Sequence, residues 1–249
     1  MPGTTTARST YRPDIGGSMK EFDLEMNAKG YIALLVASVS EVGSPGENIG
    51  RIPLEALLQE VESRRAMGAS YKSPSDWELE DFSYATKENG LKEPIDARMK
   101  RVYAQFFDAE VIATARIRGM VGRNFEGRVA AVYAAASNAT AAATPWTNPS
   151  ADVMGEIETA ANKIADRTGY WPNTLTLTRK VARKLRFNTS IIDRAKFNGI
   201  IDVTPDKINA AVLAQIFDIE RVVIANARKN TANVKKSAVM GSIWPDATA

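Results

Sequence analysis

Cysteine and histidine are both missing from this 249-residue chain. Without cysteine there are no disulfides, thiol nucleophiles or thiolate metal sites. Without histidine there is no Ser-His-Asp triad, no imidazole metal ligand and no imidazole general acid or base. A marked charge imbalance is missing too. The chain carries 32 basic and 29 acidic residues, a net charge of +3, and that balance alone does not point to nucleic acid. Long apolar runs are also absent. The run from Tyr31 to Ala37 is far short of the roughly 20 residues that cross a bilayer. The opening "MPGTTTARSTYRPDIGGSMK" is polar and glycine-rich and lacks the apolar stretch of a secretory signal. These absences predict a soluble, cytosolic chain with no membrane partner, and they give no weight to the sequons at Asn138 and Asn188.

What is present is a composition able to build a core, since 45% of the residues are apolar. Residues 1 to about 20 read as a flexible arm of Thr, Ser, Gly and Pro. "GYIALLVASVSEV", between Gly30 and Gly43, is apolar and β-branched and predicts a buried strand. "GSPGENIGR" is a turn-rich break. Leu54, Leu57, Leu58 and Val61 then have helical spacing, with Gly68 closing the pattern.

Residues 77–84 alternate. Trp77 and Leu79 interleave with Glu78 and Glu80, and the pattern slips one place at Asp81 before Phe82 and Tyr84 resume it. Such a slip predicts a bulged strand, aromatic on one face and acidic on the other. The strand either lies on its own domain's core or forms an arm that lies on a neighbouring subunit. Pro94 and Asp96 then suit the first turn of a helix. A stripe from Met99 through Val102, Phe106, Ala109, Ala113, Ile117, Val121, Phe125, Val129 and Val132 to Ala136 advances by three or four residues each time. One helix over residues 95–137 would be about 65 Å long, with a kink expected at Gly119 to Gly127. Its opposite face is expected to carry Arg98, Arg101, Arg116, Arg118, Arg123 and Arg128.

The texture changes after "TPWTNPS". Ser150 is placed to cap a helix with apolar Val153, Ile157, Ala160, Ala161 and Ile164, closed by Gly169. "NTLTLT" predicts a strand, followed by a basic helix from Arg179 to Arg186. Thr204-Pro205-Asp206 reads as the start of a helix ending near Phe217, and "IERVVIANA" as another strand. Strands alternating with helices make residues 138–249 an α/β unit.

Searching for chemistry yields little. "GMVGRNFEG" lacks the Gly-Lys-Ser/Thr ending of a phosphate loop and does not follow a strand, so it reads as close packing or a kink. Glu156 and Glu158 stand two apart on a helix and point away from each other, and Asp206 suits a helix start. No catalytic, cofactor-binding or metal-binding residue is expected, and the chain reads as a non-enzyme. The basic helix, with Arg179, Lys180, Arg183, Lys184 and Arg186, could meet phosphate or could be a solvated face. What emerges is architecture: an arm, a projecting β segment, a long helix and a separate α/β lobe. A projecting segment buries its surface only when another molecule covers it.

The strings "IPLEALLQEVESRRAMGASY", "FSYATKENGLKEPIDARMKRVYAQFFDAEVIATARI", "TGYWPNTLTLTRKVARKLRFNTSIIDRAKF" and "LAQIFDIERVVIANA" occur in this order over about 200 residues. In wording and order they resemble the major capsid proteins of tailed bacteriophages and prophages with the Hong Kong ninety-seven fold, which is related to encapsulin shells. The resemblance implies an α+β fold. Residues 1–30 would be the N-terminal arm. Residues 31–137 would be a peripheral domain, with an extended β-hairpin loop at about 46–93 and a long spine helix at about 95–137. Residues 138–249 would be the α/β axial domain. It further implies an icosahedral shell of pentamers and hexamers around double-stranded DNA, formed in the bacterial host cytoplasm and carried in the virion, with no cofactor. Scaffolding, portal and decoration proteins would be further partners. Trp77, Leu79, Phe82 and Tyr84 of the extended loop would contact neighbouring subunits, and Arg116, Arg118, Arg123 and Arg128 would be candidates to face DNA. The sequence departs from the family at "GSIWPDATA", where members usually continue with more axial domain. No Lys–Asn pair stands out for the inter-subunit cross-link that some members form. Two other readings share parts of this pattern: an encapsulin-like compartment holding protein cargo, and a small oligomeric DNA-binding protein.

Overall fold

The computed structural model describes residues 30–73, 79–135, 137, 139–197, 205–233 and 235–246. The expected N-terminal arm and Trp77 lie outside the described residues. Contacts within the chain divide it into two compact units, residues 40–89 and the remainder.

The smaller unit is built on a hairpin. Strand β1 (Gly46–Arg51) pairs antiparallel with β2 (Glu80–Ala85), and a short helix α2 (Leu54–Leu58) follows β1. The register runs unbroken from Gly46 opposite Ala85 to Arg51 opposite Glu80. Residues 80–85 therefore carry no bulge, contrary to the expectation from the slip at Asp81. Unbroken pairing keeps side-chain parity strict, so one face holds the cross-strand pairs Arg51–Glu80, Ile49–Phe82 and Glu47–Tyr84. Leu79 falls on the other face, beside Gly50, where a Cβ would sit 3.5 Å from its side chain. The aromatic face thus excludes Leu79 and includes Glu80.

The described part of the larger unit begins with Gly30, whose φ of +84° places it in the left-handed region. Its backbone lies against Asn226, leaving no room for a Cβ there. The strand predicted for Gly30 to Gly43 is not formed. A single helical turn, α1 (Ala33–Val36), takes its place, and only Ile32 and Ala33 of this stretch are buried. The reason is a side chain far along the sequence: the Glu126 carboxylate accepts from the Ile32 and Ala33 amides, each at 2.9 Å. That caps a helical turn instead of leaving the amides for a ladder.

The predicted long helix is two helices, α3 (Ala97–Tyr103) and α4 (Ala109–Tyr133). They part at residues 104–108 and not at the glycines. The aspartates decide this. Asp96 accepts from the Arg98 amide and starts α3, while Asp108 accepts from the Glu110 and Val111 amides and starts α4 afresh. Gly119, Gly122 and Gly127 lie inside an uninterrupted α4, about 37 Å long at 1.5 Å per residue.

The α/β portion matches the predicted alternation more closely. Helix α5 (Val153–Thr168) buries Val153 and Ile157 and ends at Gly169, with φ +71°. Its cap is Asp152, which accepts from the Gly155 amide, and not Ser150, whose own amide donates to Asn148 in a preceding turn. Strand β3 (Thr174–Thr178) leads into α6 (Arg179–Leu185) and α7 (Thr189–Phe197). Helix α8 (Ala210–Phe217) starts at the Asn209 cap, later than expected from the Pro205 turn; Thr204 lies outside the described residues. Strand β4 (Arg221–Ala225) then pairs parallel with β3, Thr174 opposite Arg221 and Thr178 opposite Ala225. Two short strands, β5 (Arg228–Asn230) and β6 (Met240–Ser242), pair antiparallel. The result is a mixed fold, an antiparallel hairpin in one unit and a parallel α/β arrangement in the other.

The larger unit holds two apolar clusters. One centres on Val153, Leu177, Leu185, Ile191, Leu213 and Ile216 and joins α5 to α8 with the β3–β4 pair. The other gathers Ile32, Ala130, Ala225, Ala227, Ile243 and Trp244 around α4. Asn188 ties α7 into the first. It is almost fully buried, its Nδ2 donates to the Ala151 carbonyl at 2.9 Å and its Oδ1 accepts from the Ile191 amide at 3.2 Å. Asn188→Ala should therefore lower stability by about 1–3 kcal/mol, read as the shift of a urea unfolding midpoint. An unchanged midpoint would mean that water replaces both bonds.

Candidate functional site

Three surfaces could carry the function: the hairpin unit, the length of α4 and the basic side of α6. Among the described residues, no group of carboxylates is arranged to hold a metal ion. No helix there is long and apolar enough to cross a membrane.

On the hairpin unit, none of the described residues from 40 to 89 is buried. Its apolar side chains nevertheless stand in solvent: Leu79 is 63% exposed, Phe82 52% and Met67 fully exposed, with Leu57, Leu58 and Tyr71 alongside. Of the predicted contact residues, Leu79 and Phe82 occupy opposite faces of the hairpin. Tyr84 is half-buried, and its hydroxyl donates to the Ser44 carbonyl at 3.2 Å, so it also holds the hairpin's open end together. Thr86 reinforces that end through its amide and hydroxyl, both donating to the Pro45 carbonyl. The Arg51–Glu80 ion pair at 2.6 Å is exposed on both sides and adds little stability.

On α4, the predicted arginine face is not one face. At 100° per residue, Arg123 falls within about 20° of Arg116, whereas Arg128 is turned by about 120° and Arg118 by about 160°. Arg116 is engaged by Glu93 at 2.6 Å, and Arg128 sits 5.9 Å from the Phe125 ring centre. Arg118 is partnered as well.

The buried side of α4 also differs from the apolar stripe. It keeps Ala113 of that stripe but then runs through Gly119, Glu126 and Ala130, leaving Phe125 and Val129 half-buried beside it. Glu126 is its centre and is 2% exposed. Its Oε1 accepts from the Ile32 amide and, at 2.6 Å, from the Trp244 indole, while its Oε2 accepts from the Ala33 amide. One carboxylate thus joins the first described residues of the larger unit, the helix α4 and the bend that follows β6. Hydropathy counts a glutamate as solvent-facing, so it conceals this role. The small residues Gly119 and Ala130 on the same side are the signal that was there to read.

On α6, Ala182 and Leu185 anchor the helix in the core and turn its cations outward. Arg179 and Arg183 line two adjoining clefts that open between α6 and the chain after β4.

With this geometry in place, the chain can be compared with known proteins. No protein-family model matches it, and no curated protein matches it. Its fold is that of a phage-related protein. That neighbour's crystal structure, from Bordetella bronchiseptica RB50, superposes with a TM-score of 0.60 at 20% sequence identity, over 94% of this chain and 74% of the neighbour. At that identity the likeness is one of fold.

Proposed function

We propose that this chain is the structural major capsid protein of a tailed phage or prophage and assembles into an icosahedral shell around double-stranded DNA. The hairpin unit carries the proposal. A two-stranded hairpin by itself is marginal in water, and here it exposes apolar side chains on both faces without a buried residue beneath them. Exposed apolar surface of this kind is covered by another molecule, and copies of the same chain repeat the contact by symmetry. The phage-related fold neighbour supports the phage setting.

In this reading the hairpin unit belongs to an extended loop at about 46–93 that overlaps a neighbouring subunit. Helices α3 and α4 form the spine of a peripheral domain spanning 31–137, and residues 138–249 form an axial domain that meets its copies in pentamers and hexamers. The subunit would be made in the host cytoplasm and end in the virion, with packaged DNA, scaffolding, portal and decoration proteins as partners. Its role is structural, and no catalytic step is required.

Negative-stain electron microscopy with light scattering of the purified protein tests this directly. Closed shells or capsomer rings are expected. A monomer at every concentration would refute the proposal. Shells filled with a protein would point to a cargo compartment, and a particle of two to four subunits with DNA affinity that collapses in salt would point to a small DNA-binding oligomer.

A further inference from the structure

The clefts beside α6 gather charge that the rest of the chain does not share. They are lined by Arg179, Lys180, Arg183, Lys184, Arg186 and Arg228, with Asp246 the one carboxylate among the lining residues. Six cations against one carboxylate leave a local excess of five, larger than the +3 of the whole chain, so the remainder is net negative. Among the described residues only Lys180 is paired there, with Asp246 at 3.5 Å. Among the described residues, no carboxylate pairs with Arg179, Arg183, Lys184, Arg186 or Arg228, whereas Arg116 on α4 is already engaged by Glu93. Unpaired cations held this close repel one another, and an external anion relieves that repulsion.

The arrangement is linear. Arg179, Arg183 and Arg186 follow at intervals of four and three, so they form one stripe about 10 Å long at 1.5 Å per residue. With the reach of the arginine side chains, a stripe of that length can meet two or three neighbouring phosphates of one strand. The helix beneath is anchored: Ala182 and Leu185 are buried, and the Thr178 hydroxyl accepts from the Val181 amide. Phe187 is the one aromatic lining residue, too few for the stacking platform that single strands use.

We propose that this α6 stripe, with Arg228 across the cleft, is a sequence-independent binding surface for the phosphate backbone of double-stranded nucleic acid. The choice of DNA over RNA rests on the shell reading; the surface does not. Arginine suits the task because its planar fork can donate two hydrogen bonds to one phosphate.

The test is fluorescence anisotropy with a labelled, random-sequence DNA duplex, measured from 50 to 200 mM salt. Wild-type affinity should fall steeply and log-linearly. Arg179→Gln, Arg183→Gln and Arg186→Gln combined should flatten the slope by about 2–3, near 0.9 for each lost phosphate contact. The matching triple lysine variant keeps the charge and should keep the slope, so a glutamine variant that fails to fold does not remove the test. Arg116→Gln with Arg123→Gln should leave the slope unchanged. An unchanged slope in the α6 glutamine variant, or a lysine variant that loses the slope while folded, overturns the proposal. So does a glutamine variant that binds DNA normally but no longer self-associates, which would assign the surface to an acidic patch of another copy. The measurement needs no shell. A chain that never assembles yet shows this slope would end the shell reading and leave the surface standing.

Discussion

Replacing Leu79 and Phe82 together by serine should abolish assembly while leaving the subunit folded. Both side chains are more than half exposed, so the isolated subunit loses little when they are removed. In an assembly that buries what is still exposed, each contributes about 1–2 kcal/mol. The pair is then worth roughly 2–4 kcal/mol per contact, or about one to three orders of magnitude in each subunit–neighbour equilibrium. Because a shell repeats that contact in every subunit, the loss compounds. Particle counts by electron microscopy and mass by light scattering read the effect, and circular dichroism checks the fold. Particles of normal number and size would remove these residues from the interface. Tyr84 gives an internal comparison. Tyr84→Phe deletes the hydroxyl that reaches Ser44 but keeps the ring, so it should loosen the hairpin's end and spare assembly.

Glu126→Ala should strongly destabilise the larger unit. The substitution leaves two buried amides and a buried indole N–H without an acceptor. An unsatisfied buried donor costs about 1–3 kcal/mol, so a total near 3–5 kcal/mol is expected once the site relaxes. That is a large share of the 5–15 kcal/mol typical of a whole domain. Glu126→Gln is the sharper probe. With its oxygen facing Ile32 and Trp244, the amide nitrogen meets the Ala33 N–H, donor against donor, and a loss of about 1–3 kcal/mol should follow. Urea denaturation followed by intrinsic tryptophan fluorescence reports both variants. Wild-type midpoints would mean that water serves the donors as well as the carboxylate does.

Each of these side chains is visible in the sequence, but their roles are not equally visible. The elements set by local chemistry were legible: β3, α6 and β4 fall where β-branched runs and helical spacing put them, and Gly169 ends α5 as a left-handed cap. The apolar and acidic alternation of residues 79–84 was legible as well, but whether the strand's own domain covers it was not. Three things were decided elsewhere. The run from Gly30 to Gly43 looks like a buried strand by hydropathy, but a carboxylate some ninety residues away in sequence claims its amides and turns it into a helical cap. The long helical stripe is continuous in hydropathy, yet Asp108 restarts the helix because its carboxylate is a better partner for free amides than the preceding turn. The arginines of α4 look like one basic face in a list, but helical rotation scatters them and ion pairing engages Arg116, while α6 concentrates its own. Sequence by itself determined where the chain prefers helix and strand and which side chains seek apolar surroundings, because those preferences act over a few residues. Tertiary structure decided which donors meet which acceptors and which charges stay unpaired, because those partners are joined by distance in space and not by distance along the chain.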